Sequence, residues 1–204
     1  MLVDEFGITI RLNTLGWYQA TMKARTIMKE DTISNIDGTI IDLETIGEFA
    51  NEYFDSRRYS QVKPVFFGYM TKEGLTIICT ERESQIKQFL SDLPEIISDL
   101  PRPFYSFNTE FEMGVLFHNL GRQVLFDGEL TKEKYELKSS AVRELKLDNY
   151  NDPFNDEGKW FPPNWKKGNM KDCIAHNRAD LLKERDILLK RGFRKPDELE
   201  FVKS

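Results

Sequence analysis

Nowhere in this chain does an apolar run approach the ~20 residues that a bilayer-spanning helix requires, so no membrane partner is expected. Cysteine is scarce too. Cys79 and Cys173 are the two thiols, far apart and in no C-x-x-C pattern, which excludes a zinc knuckle and a disulfide framework. Both read as small buried apolar fillers. Positive charge is in deficit: 29 Lys and Arg face 34 Asp and Glu, for a net charge of −5. A protein that coats nucleic acid generally would be basic. A nuclease is not excluded, because its carboxylate site adds negative charge by design. The start, Met1-Leu2-Val3-Asp4-Glu5, lacks the basic and apolar regions of a signal peptide, and a cytoplasmic location is expected. Internal repeats and low-complexity tracts are also missing.

What is present suits a soluble globular domain. The 204 residues are 40% apolar and 31% charged, enough for one domain with its own core. Residues 1–36 read as an N-terminal extension packed on the main fold, with a strand at Ile8–Leu12 and a short helix over Gly16–Ile27. From Thr39 the signals sharpen. A strand spans 39–44, and Pro64–Tyr69 and Leu75–Cys79 form a hairpin around Thr71-Lys72-Glu73-Gly74. Ile86, Phe89, Leu90, Leu93, Ile96, Ile97 and Leu100 fall at helical spacing, with a kink or break expected at Pro94. Phe104–Phe107 reads as a strand, Thr109–Leu120 as a helix closed by Gly121, and Val124–Phe126 as a last strand. Residues 137–147 look helical, 149–170 form a Pro-, Gly- and Asn-rich loop, and a final helix covers 172–190. Strands followed by alternating strand and helix make an α/β domain with a mixed sheet.

The most informative segment is Thr39-Ile40-Ile41-Asp42-Leu43-Glu44-Thr45, an apolar strand carrying two acids. Buried strands seldom carry a carboxylate, because an unpaired one is costly. Alternation puts Asp42 and Glu44 on the same face, roughly 6.5–7 Å apart along the chain. Two anions on one face repel unless a cation holds them. All-oxygen ligation points to Mg²⁺ or Mn²⁺, and a pair of such ions about 3.5–4 Å apart is a common device for cleaving phosphodiesters. Two further clusters follow. One helix opens Asn108-Thr109-Glu110-Phe111-Glu112, and the last contains His176 and Asp180, i and i+4 on one face.

The order Asp42-x-Glu44, Asn108-x-x-Phe111-Glu112, His176-Asn177-x-x-Asp180 resembles the three motifs of the DEDD (DnaQ-like) 3′–5′ exonucleases of the ribonuclease H-like superfamily. The nearest variant is the YprB-type predicted ribonuclease H-like group, which often has a Gly and a Trp ahead of its last helix, as Gly158 and Trp165 stand here. The likeness spans roughly residues 37–192 and implies a ribonuclease H-like mixed central sheet flanked by helices over 37–204. It departs from the family in Glu112, where Asp is usual. It departs also in the three residues between His176 and Asp180, which is the spacing of the tyrosine branch.

The resemblance implies a role for each residue. Asp42 would bridge two Mg²⁺ or Mn²⁺ ions, Glu44 and Asp180 would complete the tighter site, and Glu112 would reach the second ion through water. His176 would take a proton from the attacking water, or orient it from the tyrosine's place. Asn108 would hold its helix start or touch the terminal nucleotide, and Leu43, Thr45 and Phe111 would line the pocket for the terminal base. Glu110, two helical positions from Glu112, should point elsewhere. The implied substrate is the 3′ end of single-stranded DNA or RNA.

Other residues keep two readings. Trp160, Phe161 and Trp165 with Lys166, Lys167 and Lys171 suit stacking on single-stranded bases, Trp165 and Lys167 above all. They equally suit a loop anchored by its own tryptophans. His118 reads as structural. Lys183, Arg185, Lys190, Arg191, Arg194 and Lys195 read as a solvated helix face and tail. The competing functions are a non-catalytic nucleic-acid-binding or assembly module of the same fold and a ribonuclease H-like endonuclease.

Overall fold

The computed structural model describes residues 2–3, 9–12, 17–22, 25–32 and 34–203, with side chains from Thr26 onward. Its centre is β5 (Thr39–Ile46), in which Thr39, Ile40, Ile41, Thr45 and Ile46 are β-branched and favour a pleated, packed backbone. Antiparallel β6 (Lys63–Thr71) and β7 (Gly74–Cys79) follow on one side; Gly74 supplies the positive φ of their tight turn. Parallel β8 (Phe104–Ser106) and β9 (Gly128–Glu129) lie on the other. On the outer edge of β7 come β4 (Arg25–Glu30), β3 (Trp17–Met22), β2 (Thr9–Leu12) and β1 (Leu2–Val3), all antiparallel. Among the described residues the sheet order is β1-β2-β3-β4-β7-β6-β5-β8-β9.

Helices cover both faces. One core joins Ile41, Leu43 and Phe67 to α1 (Ile86–Asp99) and α2 (Thr109–Leu120) through Phe89, Leu93, Val115 and Leu116. The other joins Ile40, Ile46 and Phe66 to α4 (Phe161–Lys166) and α5 (Met170–Arg191) through Phe161, Trp165, Cys173 and Leu181, with α3 (Lys138–Leu145) contributing Ala141. Each such buried apolar side chain contributes about 1.5–3 kcal/mol. The faces of β5 are therefore sorted by alternation: Ile41 and Leu43 toward α1 and α2, Asp42 and Glu44 toward α5. No helix among the described residues is long and apolar enough to cross a membrane.

Four expectations need correction. The helix over Gly16–Ile27 is instead the hairpin β3–β4, as far as residues 17–22 and 25–27 describe it; Gly16, and Ile8 of the first strand, lie outside the described residues. The outer edge of β7 decides this, since β4 satisfies its backbone groups from Thr26 to Glu30 and a helix could not. The last strand is Gly128–Glu129, not Val124–Phe126. Val124 and Phe126 are buried plugs, and the pairing waits for Gly128, where a Cβ would stand 2.7 Å from the Tyr105 ring and 2.6 Å from Phe193. Helix α1 is one helix through Pro94 and not two, its stripe of Ile86, Phe89, Leu93 and Ile97 anchoring both halves in the core. The loop 149–170 contains α4, whose Pro162 and Pro163 occupy first-turn positions that need no N–H donor.

Candidate functional site

Three elements deliver acids to one place. Strand β5 brings Asp42 and Glu44, the first turn of α2 brings Glu112, and α5 brings His176, Asp180 and Glu184 from successive turns. The pairing of β5 with β6 slips between Glu44 and Thr45, where Pro64 lacks the N–H that a regular ladder would use. Such bulges often re-aim side chains beside a site. Asp42, Leu43, Glu44, Thr45, Asn108, Phe111, Glu112, His176 and Asp180 all line a single cleft of about 430 Å³. That is within the ~300–1,000 Å³ of small-ligand sites. Phe49 and Phe111, ring centroids 6.2 Å apart and tilted by 58°, also line it, as do Lys159 and Pro162.

The acids are held in different ways. Asp42 Oδ2 accepts a 2.6 Å hydrogen bond from Asn177 Nδ2. Gly68, opposite Asp42 on β6, makes the room: a Cβ there would stand 2.3 Å from Asn177 Oδ1. His176 Nδ1 lies 2.8 Å from Asp152 Oδ1, while Nε2 faces Glu44 Oε1 at 3.5 Å and Asp180 Oδ2 at 3.8 Å. Glu44, His176 and Asp180 each present a ligand atom within 4.8 Å of the other two, and Asp152, Asp156 and Asp180 form a second such group. Lys138, the first residue of α3, enters the cluster: its Nζ is 3.2 Å from Asp42, 2.8 Å from Asp180 and 2.7 Å from Glu184. Among the described residues, Glu112 Oε2, Asp180 Oδ1 and Glu184 Oε2 are buried without a hydrogen-bond partner.

Burial sets the electrostatics. It pushes Asp42, Glu112 and Glu184 above the ordinary carboxylate range, and Glu44 up to about 8. Asp180 suffers the same desolvation, but Lys138, His176 and Lys183 overcome it and hold the group below its usual value. Burial opposes charge on His176 as well; Asp180, Glu44 and Asp152 outweigh it and raise the imidazole to about 9. Clustered acids whose protonation is opposed by two lysines and His176 alone, and favoured by one another, are suited to a multivalent cation. Without one, desolvation and mutual repulsion keep part of the set neutral.

No family model, curated protein or solved structure matches this chain. What the site can do follows from its donor set.

Not every expected residue reaches the cleft. Trp165 is 3% exposed and donates its Nε1 hydrogen to Thr80 O at 2.7 Å, so it anchors α4 to the sheet and cannot stack on a base. Lys167 is exposed at the end of α4 and does not line the cleft. Asn108 occupies the N-cap position of α2 without a side-chain capping bond. Glu110 points away as expected, toward Tyr59 and Lys134. His118 contacts Ser56 and does not line the cleft. Lys183 is not on a solvated face: it is fully buried, 2.7 Å from Asp152 and 2.5 Å from Asp156, because those acids fold back over α5. Lys138, Asp152 and Glu184 are the residues that the motif order missed, while Asn177 stood in the third motif without a role. Glu184 continues the i, i+4 row from His176 and Asp180; Lys138 and Asp152 come from remote segments with no periodic signal.

Proposed function

We propose that this chain is a metal-dependent nuclease that hydrolyses phosphodiester bonds from the 3′ end of single-stranded DNA or RNA. One observation carries the reading. Carboxylates from β5, α2 and α5, the segments that resemble the three exonuclease motifs, converge on one cleft with buried oxygens lacking partners. The antiparallel β5–β6–β7 meander continued by parallel β8 and β9 is compatible with a ribonuclease H-like sheet. Mg²⁺ or Mn²⁺ bound among Asp42, Glu44, Glu112 and Asp180 supplies Lewis acidity toward a phosphoryl oxygen. The chain's own residues do the rest. Asn177 fixes Asp42, Asp152 fixes the ring of His176, and Phe111 with Phe49 offers an aromatic wall for a terminal base.

The test is digestion of 5′-labelled single-stranded DNA and RNA in Mn²⁺, Mg²⁺ or EDTA, beside Asp42→Ala protein purified in parallel. A metal-dependent ladder shrinking from the 3′ end, absent in the variant, supports the proposal and reads the sugar preference. Cleavage that persists on a 3′-blocked strand means an endonuclease. A non-catalytic nucleic-acid-binding module is the second reading, and Lys138 favours it, being a cation already lodged among the acids. Tight strand binding without cleavage in any metal would select it.

A further inference from the structure

We propose that the site takes one divalent cation, on Glu44, His176 and Asp180, and that the Lys138 ammonium stands where a second ion would. The inference rests on the metal-dependent reading above and changes its stoichiometry and donor set. It makes His176 a ligand and not a base.

The geometry of His176 comes first. Asp152 Oδ1, 2.8 Å from Nδ1, selects the tautomer with its proton on that nitrogen and leaves the Nε2 lone pair facing forward. A carboxylate behind a histidine is the usual support of a metal-bound imidazole. In front of Nε2 lie Glu44 Oε1 at 3.5 Å and Asp180 Oδ2 at 3.8 Å. Ligand atoms each ~2.1 Å from a shared ion lie about 3–4 Å apart. Without an ion these carboxylates favour the imidazolium; a cation seated among the three groups would take the place of the Nε2 proton and accept that lone pair. The other Asp180 oxygen, Oδ1, is buried without a hydrogen bond, 3.6 Å from Lys183 Nζ. One imidazole and two carboxylates suit Mn²⁺ or another first-row metal better than Mg²⁺.

Asp42 is engaged elsewhere. Asn177 takes Oδ2 at 2.6 Å, and Oδ1 is 3.2 Å from Lys138. An ammonium bound to Asp42, Asp180 and Glu184 fills the space between the first two acids, where a bridging ion would lie. The segment that carries it is pinned on both sides. Arg191 holds Glu136 at 2.6 Å, and Lys132 pairs with Glu144 on α3 itself. Lys138 thus enters as a fixed point charge of the fold, able to face a phosphate from the cleft that it lines.

Metal-free protein titrated with Mn²⁺, with free ion read by electron paramagnetic resonance, counts the sites. Pulsed measurement of the bound ion reads ¹⁴N coupling. One tight Mn²⁺ per chain with ¹⁴N coupling is expected. His176→Gln should abolish the coupling, Asp152→Asn should weaken binding ~10–100-fold, and Lys138→Met should admit a second Mn²⁺. Two tight ions in the unaltered protein would overturn this inference and leave the nuclease reading standing. One ion without ¹⁴N coupling would overturn the role of His176. No binding at all would remove both.

Discussion

Lys138 and Lys183 are both buried among carboxylates, but they sit in opposite kinds of surroundings. Lys183, fully enclosed, faces Asp152 and Asp156 and lies 3.6 Å from Asp180 Oδ1; both oxygens of Asp152 are also taken, by His176 and by the backbone N–H groups of Phe154 and Asp156. Lys138 faces Asp42, Asp180 and Glu184 at the edge of a cleft, in a cluster that still holds unpartnered oxygens. In the first, the fully bonded Asp152 fastens the 150–157 segment over α5. In the second, buried oxygens keep no hydrogen bond. A buried acid–base cluster is thus better judged by its leftover oxygens than by its ion pairs.

The sharpest way to break this contrast is through activity. Asp180→Ala should lower strand cleavage ~10³-fold or more, because metal-borne charge stabilisation amounts to several kcal/mol. Its circular dichroism should stay that of the parent. Persistent cleavage would show that the Lys138 cluster is not the reactive one. The next effect is on stability. Lys183→Met strands two buried carboxylates and should cost about 3–5 kcal/mol, a Tm fall of about 6–20 °C below the parent that is as large in saturating Mn²⁺ as in EDTA. Lys138→Met should also lower Tm in EDTA, but saturating Mn²⁺ should return about 2.7 kcal/mol at a hundredfold excess over Kd. If Mn²⁺ restores both variants or neither, the two lysines are equivalent and the contrast fails.

Smaller effects sharpen it. Gly68→Ala should displace Asn177 and cost about 1–3 kcal/mol, with a larger fractional loss of metal binding than of stability, measured by titration and thermal melting side by side. Smallest is the pair of tryptophans. Trp165→Phe leaves the buried Thr80 carbonyl without its donor and should cost about 1–3 kcal/mol. Trp160→Ala, on a side chain half exposed, should stay within about 0.5 kcal/mol in a denaturant melt.

Much of the site was legible because its acids and histidine lie at regular spacings on regular elements. Asp42 and Glu44 share a face by the twofold alternation of a strand, and His176 and Asp180 by the helical turn. The same helical rule extends to Glu184, whose burial no local signal gave. Lys138 and Asp152 were illegible for a different reason. They arrive from a helix start and a loop whose placement depends on long-range ion pairs, not on periodicity. The hairpin, α2 and its Gly121 cap followed from turn residues and an apolar pattern. The β3–β4 ribbon did not, since a mixed run of Trp, Tyr, Gln, Ala and Thr suits helix or strand until an open sheet edge chooses. Trp165 shows the limit of composition: an aromatic among lysines looks like a base platform until its indole N–H is found on a buried carbonyl.

The bond from Asn177 to Asp42 has one more consequence. With Oδ2 accepting from Asn177 and Oδ1 facing Lys138, the rotation of the Asp42 carboxylate is fixed. Its orientation is set by an amide on another element and, through that amide, by the missing side chain of Gly68. An uncharged residue and an absent one together decide which way the strand's first acid turns.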